Sequence, residues 1–448
     1  LHDALPILLT FFILFSSLFS QFSLYKGSDY MRFSGNVSFY YNNRLYDEVE
    51  SNGYKKDRFG LKDARFQIKG ELRKKIKYQI EVDFAKFKGD TYIDEIEEII
   101  EDEVNKITEK MEFESFLLDA YASMKLPIKG SNITVGYFKI PFTRNNMGRS
   151  KASPWIDRAD VIEDAINRRD VGIMITQKFL SDQIIFNFAT VNGRGDITKN
   201  NDKSGSLETI ARLDYTFGLN FGKYGNKTIL PGRLKIADRI DYRKTPIPTV
   251  GFGFSYRYAD KEENMIYDDD DQWPLAVDGI KKVKGYDIGF MYQGFSMQYD
   301  FYIKEITPND YSPGSDSNIL WFVDENNRTF EFSGQLLHLN YFFKNLNLVT
   351  SFRWEEINPN SLLTTVNTEG NLANTWNTNL GFGLCYMIDG MNTALKFQYI
   401  HRLPRGDRLT DYSLSSLISN IRDDFDGIRS PEPWKKSELR LGVQFLIR

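Results

Sequence analysis

The chain is poor in cysteine and histidine, and it has no long hydrophobic run beyond its first 25 residues. A single cysteine, Cys385, excludes a disulfide framework. The three histidines, His2, His338 and His401, are scattered, so we expect neither a metal site nor a cofactor. After residue 25 no segment approaches the roughly 20 apolar residues that a membrane helix requires. These features exclude a disulfide-rich scaffold and a helical membrane protein.

The chain also lacks a strong excess of either charge. Its 57 Lys and Arg residues nearly balance its 61 Asp and Glu residues, so no basic field favours nucleic acid as a partner. The mean hydropathy is negative, as in soluble proteins. A transmembrane β-barrel gives the same value, because only alternate residues of its strands face lipid.

The N-terminal segment indicates export. Residues Leu8 to Phe19 form an apolar run of the length of a signal-peptide core, followed by small residues near Ser20. We therefore predict a signal peptide over about 1–23 and a single barrel domain over 24–448. The alternative is a buried segment of a cytosolic domain.

Most of the remaining chain alternates apolar and polar side chains. Clear examples lie at 64–69, 78–84 and 439–445. Because successive side chains of a strand point to opposite faces, each such segment has one apolar and one polar face. The pattern predicts sixteen strands, at about 33–43, 63–73, 77–86, 117–126, 131–139, 171–180, 184–193, 210–218, 248–259, 284–293, 295–304, 331–343, 345–357, 376–388, 391–402 and 437–447.

Long and short gaps alternate between these strands. Outer-membrane barrels have long external loops and short periplasmic turns, so this rhythm predicts an all-β protein, a transmembrane antiparallel up-and-down β-barrel of about 16 strands with long external loops. One gap, 219–247, is long where a short turn is expected. The alternative interpretation is a large soluble β-protein with half-buried strands.

Closing the sheet would direct its polar face towards a lumen that is wide enough for water. On that interpretation the strands contribute five cationic pore-lining candidates: Arg65, Lys69, Lys125, Arg212 and Arg353. Aromatic residues near strand ends, such as Tyr40, Tyr41, Phe342 and Phe343, fit the aromatic girdles of a membrane barrel.

Two insertions interrupt the strand pattern. In residues 93–111 the apolar residues recur every three to four positions, which predicts an amphipathic loop helix with carboxylates on its other face. The acidic run Asp268 to Asp271 is interpreted as a solvated loop, with a surface cation site as the alternative.

A third insertion, 140–170, is rich in cations. Together with the residue before it, it supplies the candidates Lys139, Arg144, Arg149, Lys151, Arg158, Arg168 and Arg169. Five carboxylates in the same stretch, Asp157, Asp160, Glu163, Asp164 and Asp170, leave two interpretations open: a network of ion pairs, or a selectivity filter.

Around this insertion the sequence resembles the phosphate-selective porin O and P family. The segments that carry the resemblance lie, in order, at Asp83–Ala85, Leu118–Tyr121 with Lys125–Pro127, Val135–Phe142, Asp157–Arg158, Arg169–Met174, Val191–Gly195, Asn201–Asp202 and Ala211–Tyr215. The resemblance implies a sixteen-stranded, usually trimeric barrel whose third external loop folds inward. It also implies that Arg and Lys along the lumen favour anions.

We therefore predict an outer-membrane porin, a passive diffusion channel for small hydrophilic solutes, with an anion or phosphate preference as the implied refinement. Its expected partners are outer-membrane lipid and lipopolysaccharide, small anionic or polar solutes, and two further copies in a homotrimer. One alternative is an adhesin or solute-binding barrel without an open pore. Another is an outer-membrane enzyme, for which His338 and His401 would be the candidate bases.

Overall fold

A computed structural model describes most of the chain. The described residues are 23–27, 29–44, 58–86, 89–93, 109–113, 116–148, 152–159, 161, 168–193, 205–218, 222–224, 227–229, 240–242, 244–245, 248–267, 275–309, 329–358, 376–403, 407–426 and 437–447. The predicted signal peptide, except its last residue, and the acidic run at 268–271 lie outside them. Among the described residues, no helix combines the length and the apolarity needed to cross a bilayer.

Sixteen antiparallel strands form one closed barrel. They are β1 (Asp29–Arg44), β2 (Arg58–Leu72), β3 (Ile76–Asp83), β4 (Leu117–Lys125), β5 (Ser131–Lys139), β6 (Arg169–Phe179), β7 (Ile184–Val191), β8 (Glu208–Gly218), β9 (Thr249–Tyr267), β10 (Leu275–Tyr292), β11 (Phe295–Pro308), β12 (Phe330–Phe343), β13 (Leu348–Asn358), β14 (Asn377–Asp389), β15 (Thr393–Arg402) and β16 (Glu438–Ile447). Each strand pairs with its neighbours in sequence, and β16 pairs with β1. A short strand, Ser23–Lys26, adds to the start of β1.

The sixteen strands correspond one to one with those predicted, and the predicted barrel is confirmed. Most of the short connections lie at one end, for example Gln293 and Gly294 between β10 and β11, and the long ones lie at the other. We call these the short-turn end and the long-loop end.

Side-chain alternation gives the barrel wall its two faces. On β14, Phe382, Leu384 and Tyr386 are each more than 40% exposed, whereas their neighbours Gly383 and Cys385 are buried. The outer wall is thus apolar and the inner wall mostly polar, as a lipid-embedded barrel with an aqueous lumen requires. Alternation also corrects the aromatic assignment, because only one of two adjacent residues can face outwards. Tyr40 lies beside the lumenal Arg440, and Phe342 packs on the inward-facing Val349.

The predicted helix at 93–111 is wrong at both of its ends. Residues Gly89–Ile93 and Glu109–Phe113 are strands that pair with each other, with Ile93 opposite Glu109. They form a separate two-stranded sheet within the β3–β4 connection, so strand pairing overrides the helical spacing there. Residues 94–108 lie outside the described part. Two helices of at least four residues are described, α1 (Arg144–Met147) and α2 (Leu414–Asp426).

Candidate functional site: the inward-folded loop and its cations

The described residues of the connection between β5 and β6, called loop 3, lie inside the barrel. At its start, α1 is held against the inner wall by three backbone hydrogen bonds. Thr143 N donates to Ser255 Oγ over 3.3 Å, Arg144 N to Asp287 Oδ2 over 3.1 Å and Asn145 N to Asp300 Oδ1 over 3.1 Å. The acceptors stand on β9, β10 and β11, so a buried polar face of the wall satisfies the free N–H groups of a short helix.

Further along, the tip of loop 3 is fixed to the far wall. The Arg353 guanidinium lies over the Trp155 ring, 4.8 Å from the ring centroid, and the ring also lies against Gly381, where a Cβ would approach it to 3.0 Å. Ile156 N donates to Gln398 Oε1 over 3.0 Å. The Asp157 carboxylate forms ion pairs with Lys62 of β2 and Arg440 of β16. Loop 3 therefore crosses the lumen.

An apolar core joins loop 3 to the wall. Phe142, Ala159 and Val161 of the loop pack with inward-facing apolar residues such as Ile210 and Leu336, and all of them are buried. Val161 N also donates to Glu355 of β13. This core fills part of the lumen with protein.

Three cations of loop 3 and its flanks converge on one backbone oxygen. Lys139 Nζ, Arg158 Nη2 and Arg168 Nη2 each lie 3.3 Å from the Gly148 carbonyl oxygen. All three residues are only half-buried. The Asp119 carboxylate also interacts electrostatically with Lys139 and Arg168. We call Lys139, Arg158 and Arg168 the cation cluster.

Five further candidate cations sit in ion pairs. Arg65 pairs with Asp63 and with Asp83 at 3.0 Å, and Arg169 pairs with Asp119 at 2.8 Å. The remaining pairs are buried: Arg144 with Asp287, Arg212 with Asp214 and Asp287, and Arg353 with Glu355. Their charge is largely neutralised locally.

The remaining candidates lie elsewhere. Lys69 and Lys125 stand in the short-turn halves of β2 and β4, and Lys125 Nζ is 3.5 Å from Glu71. Arg149 and Lys151 lie outside the described residues, as do the loop carboxylates Asp160, Glu163 and Asp164.

Two of the five carboxylates of the 140–170 stretch lie among the described residues. Asp157 pairs with cations of the wall, and Asp170 accepts hydrogen bonds of 2.7 Å from the backbone N–H groups of Val171 and Gly193. These two carboxylates help to hold the loop in place. Sequence reasoning did not single out the wall acids Asp287 and Asp300, although strand alternation places both on the inner face.

The two strand histidines do not face a solvent-accessible site. His401 Nδ1 lies 3.4 Å from Ser437 Oγ, but both residues are fully buried. His338 is buried beside the Trp155 ring. Within the described part of the chain, no group of three or more His, Cys, Asp or Glu side chains could hold a metal ion.

Comparisons with known proteins place the chain among porins. The family model "Phosphate-selective porin O and P" matches residues 34–348, more than half of the chain. The chain is similar in structure to the outer-membrane channel DcaP of Acinetobacter baumannii, with 14% identity, coverage of 94% of this chain and 98% of that one, and a TM-score of 0.48. It is also similar to an anion-selective porin from Comamonas acidovorans, with 8% identity, coverage of 93% and 99%, and a TM-score of 0.48. No curated protein sequence matches it.

Proposed function

The chain belongs to the phosphate-selective porin O and P family of outer-membrane porins, and from that premise we propose that it prefers anions and that the cation cluster sets this preference. As a porin it is a passive diffusion channel of the bacterial outer membrane. The proposal concerns which solutes pass and which residues select them.

The convergence of Lys139, Arg158 and Arg168 on the Gly148 carbonyl is the observation that carries the proposal. Fixed positive charge in a constriction lowers the barrier for anions and raises it for cations. Guanidinium groups also bind phosphate oxygens in a bidentate geometry, which chloride cannot match. Phosphate is therefore the anion that we expect to be held longest.

Reversal potentials across a planar bilayer in a KCl gradient test the proposal. The double variant Arg158→Gln, Arg168→Gln removes two charges and keeps amide donors for the Gly148 carbonyl. We expect its reversal potential to shift towards the cation side. The control is Lys344→Gln, in the turn between β12 and β13 at the far end of the barrel, which should leave the potential unchanged. An unchanged potential in the double variant would refute the role of the cluster.

A separate measurement, the block of chloride current by phosphate, tests the phosphate preference. Adding phosphate to a chloride solution should reduce the chloride current of the natural protein, because a held phosphate blocks the constriction. The double variant should lose this block. A natural protein whose chloride current does not respond to phosphate is a general anion pore.

The apolar outer wall supports contact with outer-membrane lipid and lipopolysaccharide, and the family resemblance implies a homotrimer. We include both in the proposal. Native mass spectrometry of detergent-solubilised protein, which should give three copies per particle, tests the oligomer.

A further inference from the structure

Protein covers the outer wall of the barrel at the long-loop end of β14 and β15. Phe382, Leu384 and Tyr386 point outwards from β14 and are each more than 40% exposed. Leu380 lies on the same face, two positions nearer the long-loop end, and is 1% exposed. Its partner in the register with β15, His401, is fully buried as well. Because the face is the same and only the exposure changes, another segment of the chain must lie against the wall at this height.

The contacts of Glu356 show that the β15–β16 connection takes part in this cover. Glu356 faces outwards near the end of β13, because its neighbour Glu355 points inwards and binds loop 3. Its Oε2 accepts a hydrogen bond from Arg408 Nη2 over 3.2 Å, and its Oε1 accepts one from Leu409 N over 3.2 Å. The Arg408 guanidinium also lies 4.3 Å from the centroid of the Trp376 ring. The start of the β15–β16 connection is therefore anchored outside the barrel wall.

Helix α2 follows this anchor closely and is amphipathic. At roughly 100° per residue, Leu414, Leu417, Ile418 and Ile421 fall on one stripe of the helix, and Ser416 lies on the opposite side. A helix of a globular protein normally turns such a stripe towards a core. Here Leu414 is 75% exposed and Ile418 is 59% exposed. The apolar stripe of α2 therefore lies at the protein surface, next to a wall whose outer face is itself apolar.

The anchor lies where the apolar band of the outer wall ends. On β14 every outward side chain from Leu380 to Ile388 is apolar or aromatic. Eight residues of a strand tilted by about 40° span about 20 Å along the barrel axis, close to the roughly 25 Å of a lipid-facing band. The next outward residue towards the long-loop end is polar: Thr378, which is opposite Glu356 and donates from Oγ1 to the Asp407 carbonyl over 2.9 Å. The anchor thus lies at the height expected for the membrane–water interface.

We propose that α2 is an interfacial helix, which inserts its apolar stripe among the lipid acyl chains of the outer leaflet beside β13–β15. A helix with one apolar stripe and a polar opposite face is suited to lie in the plane of a membrane interface. The stripe continues the lipid-facing surface of the wall, and the side that carries Ser416 faces water. The contact between Arg408 and Glu356 keeps the helix on the membrane side of the barrel rim. This inference rests on the proposed contact of the outer wall with lipid and extends it to an external loop.

Fluorescence quenching by brominated lipid tests the insertion. In a Cys385→Ala background, bimane is attached to one introduced cysteine at a time: Ile418→Cys on the stripe, Ser416→Cys on the opposite side of α2, or Leu384→Cys on the outer wall. Each protein is reconstituted into phosphatidylcholine vesicles with brominated acyl chains. We expect quenching at Ile418 to approach that at Leu384 and to be several times stronger than at Ser416.

The three labels separate the possible outcomes. Strong quenching at Leu384 with equally weak quenching at Ile418 and Ser416 would overturn the inserted helix and leave the lipid contact of the wall intact. Weak quenching at all three positions would refute the lipid contact of the wall and the inserted helix with it. A label at Ile418 that is shielded from both brominated lipid and aqueous iodide would mean that the stripe docks on protein, such as a second copy of the chain, and would also overturn the proposal.

Arg408→Ala tests the anchor. It removes the hydrogen bond to Glu356 and the contact with the Trp376 ring, so quenching of the label at Ile418 should fall. The control is Lys344→Ala, which removes a cation from the turn between β12 and β13 at the short-turn end and should leave the quenching unchanged. Both variants should keep the heat-modifiable gel shift of a folded barrel. Quenching that is the same in the two variants would overturn the role of Arg408 as the anchor.

Discussion

At the residue scale, Asp287 is where loop 3 and the barrel wall are most tightly joined. Its carboxylate accepts hydrogen bonds from the backbone N–H and the Nε–H of Arg144. It also accepts hydrogen bonds from Nη1 and Nη2 of Arg212. All three side chains are buried. Removing one partner of such a network leaves the remaining charge without compensation in a medium of low dielectric constant.

Asp287→Ala should therefore destabilise the barrel strongly. Loss of one member of a buried ion pair typically costs about 3–5 kcal/mol, and here two arginines depend on the same carboxylate. Urea unfolding in lipid vesicles, followed by tryptophan fluorescence, measures the change in the free energy of unfolding. Lys284→Gln breaks the more exposed pair with Glu305 and serves as the control, for which we expect little change. Equal stability of the two variants would contradict this account of Asp287.

Strand alternation predicts which side chains point inwards, and it did so for Arg65, Arg212 and Arg353. It does not predict their partners. The partner depends on the register between strands, as for Arg65 and Asp83, or on a loop that arrives from elsewhere, as for Arg353 above the Trp155 ring. For this reason strand alternation alone does not show which lumenal cations are held in ion pairs.

At the element scale, loop 3 is attached to the inner wall of the barrel at two points. The first is α1, whose N-terminal N–H groups bond to wall acceptors, and the second is the tip, where Asp157 bridges Lys62 and Arg440. Between them lies Gly148, whose carbonyl oxygen contacts Lys139, Arg158 and Arg168. The size of the constriction should therefore depend on both attachments.

Asp157→Ala should release the tip of loop 3 and widen the constriction. Because α1 and the apolar core remain attached, we expect the barrel to fold and the single-channel conductance to become larger and noisier. Planar-bilayer recordings measure this effect. Asp389→Ala, which removes a carboxylate from the last residue of β14 at the short-turn end, is the matched control. A variant with the conductance and noise of the natural protein would show that the tip is held by Trp155 and Ile156 alone.

Periodicity predicts elements only where one pattern governs the whole segment. The sixteen strands were found because each keeps a two-residue period between lipid and lumen. The predicted helix at 93–111 was wrong at Ile93 and Met111, because both residues belong to a separate two-stranded sheet within the β3–β4 connection. Local spacing cannot reveal that two distant segments of a connection pair with each other.

At the scale of the whole molecule, the barrel separates three environments: lipid outside, protein in part of the lumen, and water in the rest. The sequence itself indicates the part of the lumen that is filled with protein. Ile210, Val283 and Leu336 are apolar at positions that alternation directs inwards, and each is buried against the loop 3 core. Apolar side chains on a lumenal face indicate contact with protein. The identity of the covering segment still had to come from the structure, because it lies far away in sequence.

Which face of the barrel wall contacts lipid can be tested by placing one charge on the outer face or on the inner face. Leu384 points outwards from β14 and is 43% exposed, whereas Thr176 points inwards from β6. An arginine in place of Leu384 must enter hydrocarbon, which costs about 2–4 kcal/mol near the middle of a membrane barrel. An arginine in place of Thr176 reaches lumenal water. We therefore expect Leu384→Arg to fold into lipid vesicles with a lower yield than Thr176→Arg, as measured by the heat-modifiable fraction on a gel. Equal yields would mean that the outer face does not lie in hydrocarbon at this height, and the assignment of the two solvents would have to be reversed or abandoned.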